Sequence, residues 1–284
     1  MSGGAAVRAR LQRHGLLARR DLGQNFLVDD AVAARLVTFA GVEPGDFVIE
    51  IGTGLGILTR ALAARAARVV SIEVDAGLVR ALRSEGELPA HVELIHADAL
   101  DLDLAALARN PAGRARLVAN LPYAISSPLL RRLLDARNVL VDWSVMLQRE
   151  VALRLAADPG TRDYGSLAVL HRLLVEIVRG PDLSPGCFFP APAVTSRFLR
   201  LTPRREPGVR PDELLAVETV ARAAFGQRRK TLSNALRGRL DPAPSAETLL
   251  RVLNELGIDP RARAETLPPE RFVALTRALR AEQV

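Results

Sequence analysis

A chain of 284 residues, 49% of them apolar, has material for one large domain and a smaller one. Its net charge of +7, nearly all from arginine because Lys230 is the only lysine, favours polyanionic partners. A single cysteine, Cys187, excludes an internal disulfide, four scattered histidines without a Cys-x-x-Cys speak against any metal site, and no apolar run reaches the roughly 20 residues that span a bilayer. A reducing, cytoplasmic setting without membrane association is therefore expected.

The first twenty residues carry Arg8, Arg10, Arg13, Arg19 and Arg20 and no acid, and a short basic helix is expected over 7–20. That composition also fits a transit peptide. A basic arm over residues 1–21 is preferred, because the first recognisable motif already starts at Leu22. Helical spacing follows at 30–40, where Val32, Leu36, Val37 and Phe39-Ala40 share a face, and Glu43-Pro44-Gly45-Asp46 is a turn. From Phe47 short apolar strands alternate with helices: strands at 47–51, 68–74, 91–96, 115–119 and 139–147, helices near 55–65, 76–84, 103–109 and 126–136. Such alternation predicts a parallel sheet covered on both faces. Helices at 148–157 and 165–174 and strands near 174–179 and 194–201 follow, the strands as antiparallel additions to the same sheet. Residues 22–203 are thus read as a Rossmann-like α/β domain, closed by a polar linker at 202–208. Beyond it the pattern is helical only, near 212–225, 229–239, 246–256 and 269–281; with 15 Arg and Lys against 11 Asp and Glu, residues 204–284 form a small basic helical domain.

Polar groups fall at the ends of the predicted strands. The first strand runs into Glu50-Ile51-Gly52-Thr53-Gly54-Leu55-Gly56, where glycines let the backbone turn tightly beside a helix N-terminus. Glu73 ends the next strand, 21 positions after Gly52, where an acid can accept both hydroxyls of a ribose. Asp98 follows the third. A glycine turn alone is often only a turn; joined to two acids at neighbouring strand ends it points to an adenosine-containing cofactor. The spacing is Gly-x-Gly-x-Gly, with Ile57 where a dinucleotide site has its third glycine, and there is no Gly-Lys-Ser/Thr loop. NAD and ATP therefore fit poorly, whereas S-adenosylmethionine, adenosine without phosphates, fits.

The fourth strand delivers Asn120-Leu121-Pro122-Tyr123. The Asn120 side-chain oxygen and the Leu121 carbonyl can accept both protons of an exocyclic amine, since Pro122 has no N–H to compete, and the Tyr123 ring can cover the face of a flat base. No His, Lys or Cys lies near this motif, so no strong general base is expected.

Stretches along most of the chain carry a family resemblance: Leu22–Leu27 (LGQNFL), Val48–Thr59 (VIEIGTGLGILT), Ile72–Asp75 (IEVD), Ala97–Leu100 (ADAL), Asn120–Pro128 (NLPYAISSP), Gln148–Val151 (QREV), Tyr164–Leu167 (YGSL), Phe188–Ser196 (FFPAPAVTS) and Phe225–Leu236 (FGQRRKTLSNAL). In these the chain resembles the small-subunit ribosomal RNA adenine N6,N6-dimethyltransferases, the KsgA family. The resemblance implies that Asn25 and Leu27 lie over the methionine and adenosine parts of S-adenosylmethionine, that Gly52 and Gly54 form its glycine loop, that Glu73 holds the ribose, and that Asp98 binds the adenine amine. Asn120 would sit between cofactor and target base, with Tyr123 and Phe188 sandwiching a flipped adenine. The implied substrate is a pair of adjacent adenosines near the 3′ end of small-subunit rRNA within the assembling 30S subunit, each taking two methyls. Ala124 stands where the family often has Asn, and Thr195-Ser196-Arg197 where it has Asp-Ser-aliphatic; neither departure is expected to touch the chemistry.

Arg228, Arg229 and Lys230 are expected to contact RNA phosphates rather than form a merely solvated face, and the basic N-terminal arm to extend the same surface. His96 and His171 read as structural, Cys187 as unreactive, and the chain as a monomer. Two other readings stand beside this one: a large-subunit rRNA adenine methyltransferase of the macrolide-resistance type, which the helical C-terminal segment disfavours, and a non-catalytic RNA-binding assembly factor, which the intact cofactor and pocket motifs disfavour. A nicotinamide dehydrogenase is disfavoured by the glycine spacing.

Overall fold

The computed structural model describes residues 3–110 and 113–282. The strands are β1 (Phe26–Leu27), β2 (Phe47–Ile51), β3 (Arg68–Glu73), β4 (Val92–His96), β5 (Arg109–Asn110), β6 (Gly113–Asn120), β7 (Leu140–Gln148), β8 (Val175–Leu183), β9 (Phe188–Phe189) and β10 (Ser196–Pro203). The helices are α1 (Gly3–Arg13), α2 (Asp30–Ala40), α3 (Ile57–Ala63), α4 (Ala76–Glu85), α5 (Leu104–Ala108), α6 (Ser126–Asp135), α7 (Arg149–Leu155), α8 (Ser166–Leu174), α9 (Leu214–Phe225), α10 (Leu232–Leu236), α11 (Ala246–Glu255) and α12 (Pro269–Ala281). Two compact units result: residues 1–152 with 177–203, and residues 153–176 with 204–284.

The first unit is built on a sheet of order β4-β3-β2-β6-β7-β10-β8, parallel from β4 to β7, with β10 antiparallel to β7. All five residues of β2 are buried, as an interior strand covered on both faces requires. Helices α2 and α4 start at side-chain caps. The Asp29 carboxylate accepts from Ala31 N–H at the start of α2, and Asp75 does the same for Gly77 and Leu78 at the start of α4. The chain runs outward from β2 to β3 to β4 and then returns to β6 on the other side of β2. That reversal opens a crevice at the carboxyl ends of β2 and β6.

Two features of this unit differ from expectation. Helix α1 spans 3–13 rather than 7–20, because Gly15 takes a positive φ of 65° and Leu16 N–H turns back to the Leu11 carbonyl. Nor is residues 1–21 a separate arm: Val7 and Leu11 are buried with Phe26, Leu55 and Leu78. Also unforeseen is a two-stranded ribbon in which Phe26 pairs with Phe189 and Leu27 with Phe188.

The second unit is helical. Its core includes Tyr164 edge-on to Phe225, with ring centroids 5.6 Å apart, and Phe225 stacked on Phe272 at 5.8 Å. The Tyr164 hydroxyl donates to the Leu267 carbonyl at 2.9 Å. Residues 153–176, expected within the α/β domain 22–203, join this unit instead, because the apolar face of α8 (Ala168, Val169, Leu173) is buried and the helix packs on α9 and α12. The RRK triplet does not open a helix over 229–239: α10 is only Leu232–Leu236, and Arg228–Lys230 form the turn before it.

Candidate active site

The carboxyl edge of the sheet opens into a cavity of about 1100 Å³, its mouth included. Gly52 and Gly54 at the end of β2, Glu73 at the end of β3, Asp98 after β4 and Asn120 through Tyr123 after β6 all line it, together with Asp21–Leu27. The sequence separates these groups by up to a hundred positions; strand order brings them together. Gly52 (φ 85°) sits against the fourth strand so closely that a Cβ there would come within 3.4 Å of the Asn120 carbonyl. Gly54 (φ 58°) is tighter still, with the Phe26 ring 3.0 Å from where its Cβ would be.

Glu73 is buried and both its oxygens accept backbone N–H groups, Oε2 from Gly54 at 2.8 Å and Oε1 from Asp75 at 2.9 Å. Burial raises its carboxyl above the usual range, while the Asp75 and Gly54 N–H groups pull the other way. In this arrangement Glu73 ties the glycine turn to β3 as well as facing the cavity. Asp98 turns Oδ1 onto Leu100 N–H at 2.8 Å. Beneath the turn lies a buried polar cluster, in which Glu50 Oε2 accepts from the Thr59 and Ser71 hydroxyls and Ser71 meets Thr53 Oγ1 at 2.6 Å.

Residues 19–27 form a strap along the mouth. Gln24 braces it from within, Oε1 accepting from Arg19 N–H at 2.8 Å, and anchors it outside, Nε2 donating to Asp75 Oδ2 at 2.9 Å. Asn25 donates its side chain to the Gly23 carbonyl, and its own carbonyl accepts from Asn120 Nδ2 at 3.0 Å. This last bond orients the Asn120 amide: one of its two N–H groups donates to the strap, and Oδ1 keeps its capacity to accept. Leu121 is buried and Pro122 follows it, so the Leu121 carbonyl has no N–H of the next residue beside it.

Tyr123 lines the cavity with its hydroxyl 2.6 Å from Ser196 Oγ, and burial raises the phenol above its ordinary value. Of Thr195-Ser196-Arg197, it is Ser196, the residue shared with the family pattern, that meets the Tyr123 hydroxyl. Phe188 is the opposite case. It is not on the cavity wall but 4% exposed in the core with Leu36, Val37 and Phe198. Directly opposed residues of a ribbon share a face, so pairing with Leu27 carries Phe188 inward, while Phe189 lies on the other face under the Arg8 guanidinium. The structure brings together Asn25, Leu27, Gly52, Gly54, Glu73, Asp98, Asn120, Leu121 and Tyr123, and leaves Phe188 out.

A family model described as ribosomal RNA adenine dimethylase matches residues 15–280. The chain belongs to that family. It is 42% identical to a ribosomal RNA small subunit methyltransferase A of Magnetococcus marinus, over 97% of this chain and 96% of that one, and 43% identical to its namesake in Rhodospirillum rubrum, over 96% and 92%. Among solved structures it resembles a dimethyladenosine transferase from Plasmodium falciparum in fold (TM-score 0.76, 23% identity, 91% of this chain and 98% of that one). It also resembles the 23S rRNA methyltransferase ErmE (TM-score 0.65, 27% identity, 90% and 100%).

Members of the dimethylase family take S-adenosyl-L-methionine as methyl donor, and the lining of this cavity fits it. Three carboxylates (Asp21, Glu73, Asp98) and no Arg, Lys or His line the cavity. That lining favours a cationic sulfonium on an adenosine over a phosphate-bearing cofactor. Glu73, Asp98, the glycine turn and Asn25 all line the cavity. Among the described residues no group of three or more His, Cys, Asp or Glu is arranged to hold a metal ion.

Gln24 and Asp75 are site-building residues that the motifs contain without assigning them a task; Asp75 caps α4 with one oxygen and takes Gln24 Nε2 on the other. The basic residues divide. Arg228 donates to the carbonyls of Arg162 (2.5 Å) and Tyr164 (3.1 Å), so it serves the helical unit internally, while Arg229 and Lys230 are exposed. In the N-terminal helix Arg10 is likewise engaged, with Glu85, Glu87 and the Leu55 carbonyl of the glycine turn. Among the described residues no helix is long and apolar enough to cross a membrane.

Proposed function

We propose that this protein transfers methyl groups from S-adenosylmethionine to N6 of two adjacent adenosines near the 3′ end of small-subunit rRNA, two to each. It does so as a cytoplasmic monomer acting on the assembling 30S subunit. The observation that carries the reading is the Asn120 amide. One of its N–H groups is held by the Asn25 carbonyl, and Asn120 and Leu121 line the same cavity as Glu73 and Asp98, which supports Oδ1 and the Leu121 carbonyl as the acceptors.

The bound cofactor supplies a methyl on a sulfonium, which needs no activation. The protein's task is then orientation and exclusion of water. Asn120 Oδ1 and the Leu121 carbonyl accept the amine protons and so turn the N6 lone pair out of conjugation with the ring. Tyr123 covers the base, which must leave its stack to enter. An amide is a milder acceptor than a carboxylate and suits an amine that has already lost one proton to the first methyl. The exposed Arg229 and Lys230 contact phosphate, which positions RNA without reading its sequence.

The likeness to ErmE keeps a second reading in view, a large-subunit adenine as target; the relatives at 42–43% identity favour the small subunit. Methyl transfer from labelled S-adenosylmethionine to unmodified small and large subunits, with the product nucleoside identified, separates the two. Dimethyladenosine confined to small-subunit rRNA is expected. Label only on the large subunit, or only monomethyladenosine at completion, would overturn the proposal.

A further inference from the structure

Tyr123 stands on a three-residue 3-10 turn, Tyr123–Ile125, at the open edge of the sheet. Hydrogen bonds from Ile125 N–H and Ser126 Oγ to the Pro122 carbonyl hold the backbone of that turn but not the ring. The ring is held at its far end, by Ser196 Oγ at 2.6 Å from its hydroxyl. Ser196 is fully buried, and as the first residue of β10 it is paired with Gln148 of β7. The anchor therefore belongs to the sheet, whose position is set by packing, and not to a loop.

We propose that Ser196 is a positioning residue for methyl transfer: it fixes the Tyr123 ring at the angle at which the ring covers the target base. The proposal rests on the adenine-methylating reading above. Two observations make the anchor matter. Phe26, the other aromatic ring on the cavity wall, packs against Gly54 and belongs to the apolar cluster with Val7, Leu11, Leu55 and Leu78. Phe188 is turned into the core. Tyr123 is thus the ring left to stack on a base, and a ring on a short turn without its anchor swings freely about its side-chain torsions. The same bond commits the hydroxyl, so Tyr123 contributes a surface and an angle rather than an acid or base at N6.

The test is a double-mutant cycle of Ser196→Ala and Tyr123→Phe, read three ways. Steady-state transfer to small subunits should show kcat lowered about tenfold, the scale of one hydrogen bond, in each single variant and no further in the double. The calorimetric Kd for S-adenosylmethionine should stay within about twofold of the wild type in all three. The chain has two tyrosines, Tyr123 and Tyr164, so ring-¹³C-tyrosine NMR gives two assignable signals; Ser196→Ala should move or broaden that of Tyr123 and leave Tyr164 alone. Single losses that multiply in the double variant, an unchanged kcat in Ser196→Ala, a loss of cofactor affinity equal to the loss in kcat, or an unmoved Tyr123 signal would each overturn the proposal. Should Ser196→Ala not fold, Tyr123→Phe, which keeps the ring and the sheet, decides alone: unchanged kcat there overturns it. The NMR reading does not depend on substrate, so a wrong target assignment, seen as no transfer by the wild type, is distinguishable from a wrong anchor.

Discussion

Glu50 should give the sheet unit a pH-dependent stability that one substitution removes. Its side chain is fully buried beneath the glycine turn; Oε2 accepts from Thr59 Oγ1 at 2.6 Å and Ser71 Oγ at 2.5 Å, and Oε1 has no hydrogen-bond partner. Burial pushes its carboxyl up to about 8 against the pull of the Ser71 and Thr59 hydroxyls; Glu73 pushes the same way and Arg60 opposes. At neutral pH the folded protein therefore keeps a proton that the unfolded chain, with a carboxyl near 4.5, has released. For this group stability is full below about pH 4.5, falls as pH rises toward about 8, and is flat beyond. The steepest possible slope is about 1.4 kcal/mol per pH unit, so the window as a whole is worth a few kcal/mol. Glu50→Gln cannot titrate. Its amide oxygen can still accept from Thr59 and Ser71, but its NH₂ puts two donors where the protonated carboxyl has one, and a further buried donor without an acceptor costs about 1–3 kcal/mol. The variant should be the less stable protein at pH 5 and should close or reverse that gap by pH 8.5. Trp143, the only tryptophan, is fully buried on β7 of the same sheet, so its fluorescence in urea titrations reports the unit concerned. Parallel stability curves for wild type and variant between pH 5 and 8.5 would refute the reasoning.

Other substitutions sort the remaining residues by task. Asn120→Ala should lower methyl transfer by about 10²–10³-fold, the usual cost of losing one directed hydrogen-bonding group at the reacting centre, while cofactor still binds by calorimetry; near-normal turnover would sink the acceptor role. Gln24→Ala removes the strap's anchor on Asp75 and its internal brace to Arg19 and should weaken S-adenosylmethionine binding about tenfold, the worth of a hydrogen bond to a charged group, with kcat at saturation retained; a loss confined to kcat would place Gln24 elsewhere in the reaction. Arg228→Ala should lower the melting temperature of the helical unit because it frees the Arg162 and Tyr164 carbonyls. Arg229→Ala should leave stability alone and reduce the salt dependence of RNA binding by about one counterion; the reverse pattern would exchange their roles.

What was legible in the sequence was what local pattern determines. The central strands β2 and β3 are largely apolar runs, and the polar groups at or just beyond their ends sit where strand direction puts them. Gly52, Glu73, Asp98 and Asn120 could thus be placed at one edge before any coordinates. What was not legible depends on partners distant in sequence. Leu27 and Phe188 lie opposite each other in a ribbon of two residues per strand, too short to carry an alternating pattern, yet that pairing decides which way Phe188 faces. Arg10 and Arg228 look like free surface charge until Glu85 and the Tyr164 carbonyl arrive from elsewhere in the chain. Ser196 carried no signal as an isolated serine, because its task exists only where β10 passes behind Tyr123. The apolar pattern of residues 166–174 says that they are buried but not against which unit.

The charge of the cavity separates two steps that salt should resolve. The whole chain is +7, yet the cavity is lined by three carboxylates and no cation. Phosphates are drawn to the protein's surface and repelled from the cavity, so the backbone of a bound RNA stays outside and only an uncharged base enters. Capture of RNA is then electrostatic and screened by salt, while the steps inside the cavity involve Asn120 Oδ1, the Leu121 carbonyl and the Tyr123 ring, none of which is charged. Raising salt from about 50 to about 200 mM should raise KM for RNA by orders of magnitude if several phosphates are held, and leave kcat at saturating RNA within about twofold. A kcat that falls in step with 1/KM would put a phosphate–cation contact into the transition state itself. It would mean that Arg229, Lys230 or another exposed cation holds the reacting nucleotide as well as recruiting the RNA.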